Sequence, residues 1–279
     1  MIVAVLNGPL GFFLDPFGLR FFLYGLLAAV LAVGGGAVLG PVSMLRQEAY
    51  LTQGVGQSMV TGAAIGSILG VPTMLASFAA AVGAAALVHL VGRARFAASS
   101  SAVAVVSSVL FAIGIAVISA DRERGVNVSN VLFGNILGVS EADLIVLAGA
   151  VSIAVVFVLR NGRMLMLAAL DEQVAHVHGV RVRALDLLRL GITSLVVAAS
   201  VQVVGVSLVV VALAVPYLVV APWTRSLGGL VGLSCAAGAG IGAIGMYLSY
   251  YADIPSGPAI VIVAGSVFVV SRFLGMVRR

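Results

Sequence analysis

The chain has 279 residues, of which 62% are hydrophobic and only 9% charged, and its mean hydropathy of +1.22 excludes an ordinary soluble domain. All fifteen basic residues are arginine, which removes the lysine a phosphate-loop ATPase needs. The net charge of +5 traces to arginines beside apolar stretches and not to a nucleic-acid-binding patch, and the single cysteine, Cys235, rules out an intrachain disulfide.

Apolar segments of spanning length recur from end to end, and no polar block is long enough for a second domain. Residues 1–279 therefore read as a single transmembrane domain, an all-α polytopic membrane protein with about nine transmembrane helices. The short alternating segments of a β-barrel are absent. Candidate helices cover 18–45, 50–69, 71–92, 99–120, 143–160, 186–204, 206–222, 228–250 and 258–276. The first has no cleavage-like site and reads as a span, not a signal peptide. Arg46, Arg93, Arg95, Arg160, Arg163, Arg181, Arg183, Arg189, Arg225, Arg272, Arg278 and Arg279 then fall on one side, with Arg20 the dissenter. The positive-inside rule makes that side cytoplasmic, so the N-terminus lies outside and the C-terminus inside.

In chain order, the second helix carries Gln53 and Gln57 one turn apart, in YLTQGVGQSMVTG (50–62). An unpaired amide in hydrocarbon is costly, so the pair needs water, substrate or a partner helix. Gly54, Ser58, Gly62 and Gly66 recur every fourth residue on the same helix and predict close helix packing, within one protomer or across a dimer seam. His89 is a packed or interfacial residue with no acidic partner near it in sequence. The stretch 127–140, NVSNVLFGNILGVS, is too short to cross and is expected to be an amphipathic helix at the outer interface or dipping into it.

The longest inside segment, 161–186, holds Asp171, Glu172, Ala175 and Gly179: an acidic helix start, a small residue on its face, and a glycine that ends it. Such a short helix suits docking into a groove on a cytoplasmic partner. His176 and His178 diverge on a helix and lack a third ligand, which disfavours a metal site.

Four segments in order carry a resemblance: VLFGNILGVS (131–140), DEQVAHVHGV (171–180), VQVVGVSLVVVAL (201–213) followed by Pro216, and YLSYYADIPSGPAIVIV (247–263). Together they resemble the membrane permeases of ABC importers for manganese, zinc and iron, over nearly the whole chain. The resemblance implies the ABC importer permease fold in a cell membrane, as a multi-pass protein of a bacterial plasma (inner) membrane. It further implies a homodimer and a separate ABC ATPase subunit docked at Asp171, Glu172, Ala175 and Gly179. An extracytoplasmic solute-binding protein would meet the outer surface near Asp121–Arg124, the 127–140 stretch and the turn of Asp253, Pro255, Ser256 and Gly257. The chain itself would be no enzyme and would bind no cofactor; ATP would be used by the partner. The substrate pathway would include Gln53, Gln57, Thr61, Gln202 and Pro216.

One departure matters. Where this family usually has an aspartate and a histidine, this chain has Gln53 and Gln57. A carboxamide offers only a neutral oxygen to a divalent ion. Three readings stay open: fleeting passage of a bare metal ion, a chelated metal, haem-like cofactor or other small solute, or glutamines that serve only as interhelical hydrogen-bond glue. Which residues would contact a metal is not fixed by the sequence. An intramembrane enzyme would need a nucleophile–base pair, and an ion-coupled transporter would need carboxylates at membrane depth; neither is found. An ABC exporter would usually lack the binding-protein partner.

Overall fold

The computed structural model describes residues 16, 20–46, 49–91, 100–120, 134, 136–224 and 226–277. Every regular element among them is helical. The helices are α1 (Arg20–Val30), α2 (Gly40–Leu45), α3 (Ala49–Leu69), α4 (Thr73–Val91), α5 (Ser100–Ala120), α6 (Glu141–Leu170), α7 (Glu172–Val177), α8 (Val182–Val204), α9 (Val206–Val220), α10 (Leu227–Ala252) and α11 (Ser256–Val277). Four stretches among the described residues are long and apolar enough to cross a membrane: Glu141–Leu170, Val182–Val201, Leu227–Ala252 and Ser256–Gly275.

The first candidate span, expected as one helix over 18–45, is broken. After α1 the ladder widens into a π turn at Leu31–Gly35, and α2 restarts at Gly40 with Pro41 in its first turn. Proline has no N–H for the ladder and clashes with the preceding turn, while three consecutive glycines (Gly34, Gly35, Gly36) lower the cost of leaving it. This irregular stretch is buried, packed on α10. Main chains meet there: a Cβ on Gly238 would come within 2.6 Å of the Val33 carbonyl oxygen.

The fifth candidate span also differs from expectation. α6 does not end at residue 160 but continues to Leu170, 30 residues in all. At ~1.5 Å per residue it is about 45 Å long, beyond the ~30 Å hydrocarbon core. Arg160 and Arg163 are exposed but do not break the helix. Asn161 donates back to the Phe157 carbonyl at 3.1 Å, and Gly162 is buried near Leu227. The segment between α6 and α8 therefore shrinks from the expected 161–186 to a short link holding α7.

The break expected near Gly205 is present. Gly205 has φ 86° and ψ 161° and separates α8 from α9. Its neighbour in space is Gly134 (φ 73°), where any Cβ would sit 2.5–2.7 Å from the main chain of Val203, Val204 and Gly205. Of the expected interfacial helix at 127–140, residues 127–133 and 135 lie outside the described residues, as do Asp121–Arg124. The described end is a 3-10 turn, Ile136–Gly138, with Ile136 buried against α1.

Candidate functional site

α3 is held on three sides. Gly62 lies so close to α4 that a Cβ would reach the Ala76 carbonyl at 2.5 Å, and the Ser58 hydroxyl donates to Val55 O at 2.7 Å, 3.4 Å from Ala80 O. The small-residue spacing thus packs α3 on α4 within the protomer. Thr61 is buried, and its hydroxyl donates to the Leu110 carbonyl of α5. Gly56 faces Val197, Val201 and Val206 at the α8–α9 break. The surface of the two glutamines is open: Gln53 is exposed and Gln57 half-buried one turn on. Gln202 lies one residue after Val201, so its backbone runs beside α3; its side chain lies outside the described residues. Pro216 is buried inside α9, where it removes one ladder hydrogen bond. The structure thus packs Gly56 of α3, the residue before Gln57, on the stretch carrying Gln202, while Thr61 turns its hydroxyl into the α3–α5 contact.

The acidic-to-glycine segment forms α7 by local chemistry. Asp171, in extended geometry (φ −152°), accepts from Gln173 N at 2.8 Å and Val174 N at 3.0 Å. A cap of this kind contributes ~0.5–2 kcal/mol. The same residue is the C-cap of α6, so no linker separates the two helices. At the far end Gly179 (φ 75°) closes a Schellman motif, with Val180 N donating to Ala175 O at 3.1 Å and Gly179 N to His176 O at 3.0 Å. Ala175 is fully buried against the rest of the protein, while Gln173, Val174, His176, Val177 and His178 face out. The Glu172 side chain lies outside the described residues. Val177 is 86% exposed. His178 Nδ1 lies 2.9 Å from Val174 O. Among the described residues no three His, Cys, Asp or Glu side chains gather as a metal site would require.

The Tyr-Tyr-Ala-Asp-Ile-Pro-Ser-Gly motif builds the tight turn between α10 and α11. Asp253 adopts left-handed geometry (φ 55°, ψ 40°), alone in this among the described non-glycine residues. Its exposed carboxylate is left free of the turn's own bonds: Ser249 Oγ donates to Ile254 O at 2.7 Å, and Pro255 O accepts from Ala259 N at 3.1 Å. Pro255 is exposed, whereas Ser256 and Gly257 are buried at the start of α11. Nearby, Phe22 stacks edge-on against Tyr247 and Tyr250, both at 5.3 Å between centroids. Tyr24 donates to Glu141 at 2.6 Å, tying α1 to the capped start of α6, where Ser140 and Asp143 form a capping box.

A charged cluster at the base of α7 was not expected from the sequence, which placed Arg46 and Arg189 only among the span-flanking arginines of the cytoplasmic side. Arg46 Nη1 lies 2.6 Å from Asp186 Oδ1, and Arg46 Nη2 donates to Ala168 O at 2.9 Å. Arg189 is 2% exposed, its Nε 3.9 Å from the same carboxylate oxygen. The Asp186–Arg189 half is visible in sequence as an i, i+3 pair. Arg46 is not, because it arrives from the far end of the chain.

Residues 19–275 match the ABC 3 transport family. The manganese import system permease protein ScaB of Streptococcus gordonii is 28% identical over 145 residues, 52% of this chain and 52% of that protein. The manganese transport system membrane protein MntC of Halalkalibacterium halodurans is 32% identical over 139 residues, 50% of this chain and 48% of that one. The matched part of the chain thus spans about half the length of these two curated relatives. A solved structure titled PsaBC from Streptococcus pneumoniae in complex with Fab superposes with a TM-score of 0.83 at 24% identity, over 93% of this chain and 94% of that one. That likeness speaks for the fold.

Proposed function

The chain belongs to the ABC 3 transport family, is a multi-pass membrane protein, and from that premise we propose that it is the transmembrane permease subunit of an ABC importer carrying a divalent transition metal ion, manganese foremost. Two copies would enclose a pathway on a twofold axis, which fits an exposed Gln53 one turn from a half-buried Gln57 on α3. The broken first span (α1 and α2), with α3, α4, α5, α6, α8, α9, α10 and α11, would make the nine-span, N-outside arrangement of a bacterial plasma membrane. The Asp253 turn and the Tyr24–Glu141 pair then lie outside, where a solute-binding protein would deliver its cargo. ATP would be hydrolysed by a separate ABC ATPase subunit.

The observation that carries the reading is α7, a six-residue helix capped at both ends. It is seated by Ala175 and joined to α6 through Asp171 alone. A helix so constrained moves only with α6 and α8, so a displacement imposed on it by a nucleotide-driven partner reaches the spans directly. Selectivity for the ion would reside mainly in the binding protein, because neutral amides hold a divalent cation weakly. The same neutrality favours a second reading, a chelated metal, haem-like or other small solute, for which an uncharged wall is no handicap.

Vesicles holding the permease with its ATPase and binding protein test both. ATP-dependent uptake of labelled manganese supports the first reading. Uptake of a chelate or other solute but no free ion supports the second, and uptake of neither, with a competent ATPase, refutes the importer.

A further inference from the structure

The cluster at the base of α7 joins parts of the chain that a transport cycle must move together. Arg46 caps α2, three residues before α3 begins at Ala49, and α3 carries Gln53 and Gln57. One of its guanidinium nitrogens bonds the Ala168 carbonyl, three residues before Asp171, where α6 turns into α7. The other pairs with Asp186, in the second turn of α8, the helix that follows α7. A single side chain thus grips both roots of α7 and the entrance of α3. An arginine that merely oriented a span would stay solvated, yet the Arg46 and Asp186 side chains are only 14% and 18% exposed.

Arg189 gives the cluster a second arrangement. Its Nε lies 3.9 Å from the same Asp186 oxygen that Arg46 holds at 2.6 Å. If Arg46 withdraws, Arg189 still stands 3.9 Å from that oxygen, so Asp186 keeps a cationic neighbour in either position. An exchange between two arginines avoids the uncompensated buried charge that makes simple rupture of such a pair prohibitive. Interfaces with two discrete arrangements are what converts a small displacement at one site into a change of state at another.

We propose that Arg46, Asp186 and Arg189 form a coupling latch: positioning residues that pass the displacement of α7 to α3, with Asp186 exchanging between the two arginines as the pathway changes access. The proposal rests on the reading of α7 as the ATPase dock.

The test uses the full permease–ATPase complex in vesicles, with a Gln53→Cys reporter on a Cys235→Ala background. Its readout is the rate at which a thiol reagent labels position 53, with and without nucleotide, alongside ATP hydrolysis. In the parent, nucleotide should change the labelling rate about five-fold or more. Arg46→Gln should remove that response while the ATPase still co-purifies and hydrolyses ATP. Arg46→Lys keeps the charge but cannot serve Asp186 and Ala168 together, and it should restore part of the response. Asp186→Asn, close in shape to the native residue, should behave like Arg46→Gln and stands in if that variant fails to assemble. A full nucleotide response in either neutral variant overturns the latch. A parent that binds no ATPase overturns instead the reading of α7 on which it rests.

Discussion

Replacing Gly238 by alanine tests the packing of the broken first span most directly. A Cβ at that position would stand 2.6 Å from the Val33 carbonyl oxygen, 3.0 Å from its carbon and 3.1 Å from Gly34 Cα. All three are main-chain atoms, so no side chain can swing aside. Comfortable contact starts near ~3.5 Å, so α10 and the π turn must part by roughly 0.9 Å. The movement cannot stay local. One turn along, a Cβ on Gly242 would reach the Ala29 carbonyl at 2.7 Å, so that contact belongs to the same seam. Overpacking of this sort costs ~1–3 kcal/mol. Gly240→Ala is the matched control, because nothing lies within 4 Å of a Cβ there, and loss of a mid-helix glycine is favourable by up to ~1 kcal/mol. Thermal melts of the purified protein in one detergent should put Gly238→Ala several degrees below the parent and Gly240→Ala at or above it. Equal midpoints for Gly238→Ala and the parent would refute main-chain contact between α10 and the π turn.

A Cβ on Gly179 would meet no atom within 4 Å, so the penalty of Gly179→Val comes chiefly from the left-handed backbone, ~1 kcal/mol or more; the melt should fall by about 2–4 °C while co-purification of the ATPase falls. Gln53→Asp combined with Gln57→His should create an ion-binding pair, seen as altered metal stimulation or inhibition of uptake. Wild-type uptake of every substrate by that variant and by the double alanine variant would make the glutamines packing residues. Single cysteines at Asp253 and Arg163, both exposed, should label from opposite faces of intact cells on a Cys235→Ala background. Reaction of both with an impermeant reagent from outside would reject the N-outside orientation.

How far the sequence could be read depended on how local each cause is. The start and end of α7 were legible because an N-cap aspartate and a left-handed glycine act within four residues of themselves. Gly205 was legible for the same reason. The interruption of the first span was missed although Gly34, Gly35, Gly36 and Pro41 stood in plain view, because hydropathy measures transfer into lipid and ignores the hydrogen-bond ladder. The continuation of α6 past Arg160 was missed through the opposite confusion. An arginine marks where the membrane ends, and a helix has no need to end there. Asp186 and Arg189 could be paired by spacing, but their link to Arg46 is made by the folded chain alone. The face of Gln53 and Gln57 was readable from their i, i+4 spacing, whereas the closing of the other faces of α3 by Ala76, Leu110 and Val201 is a tertiary fact.

Asp171 ends one helix and begins the next with nothing between them, and that fixes the phase of α7 to the winding of α6. Each residue of an α-helix turns the chain by about 100° and advances it ~1.5 Å. One residue added to or taken from the 30 of α6 would therefore swing α7 through more than a quarter of a circle, carrying Ala175 out of its seat and Val177 away from its exposed position. Single substitutions along α6 leave that angle alone, but a one-residue insertion or deletion does not. The count of residues between the Ser140 cap and Asp171 is thus a mechanical dimension of the molecule.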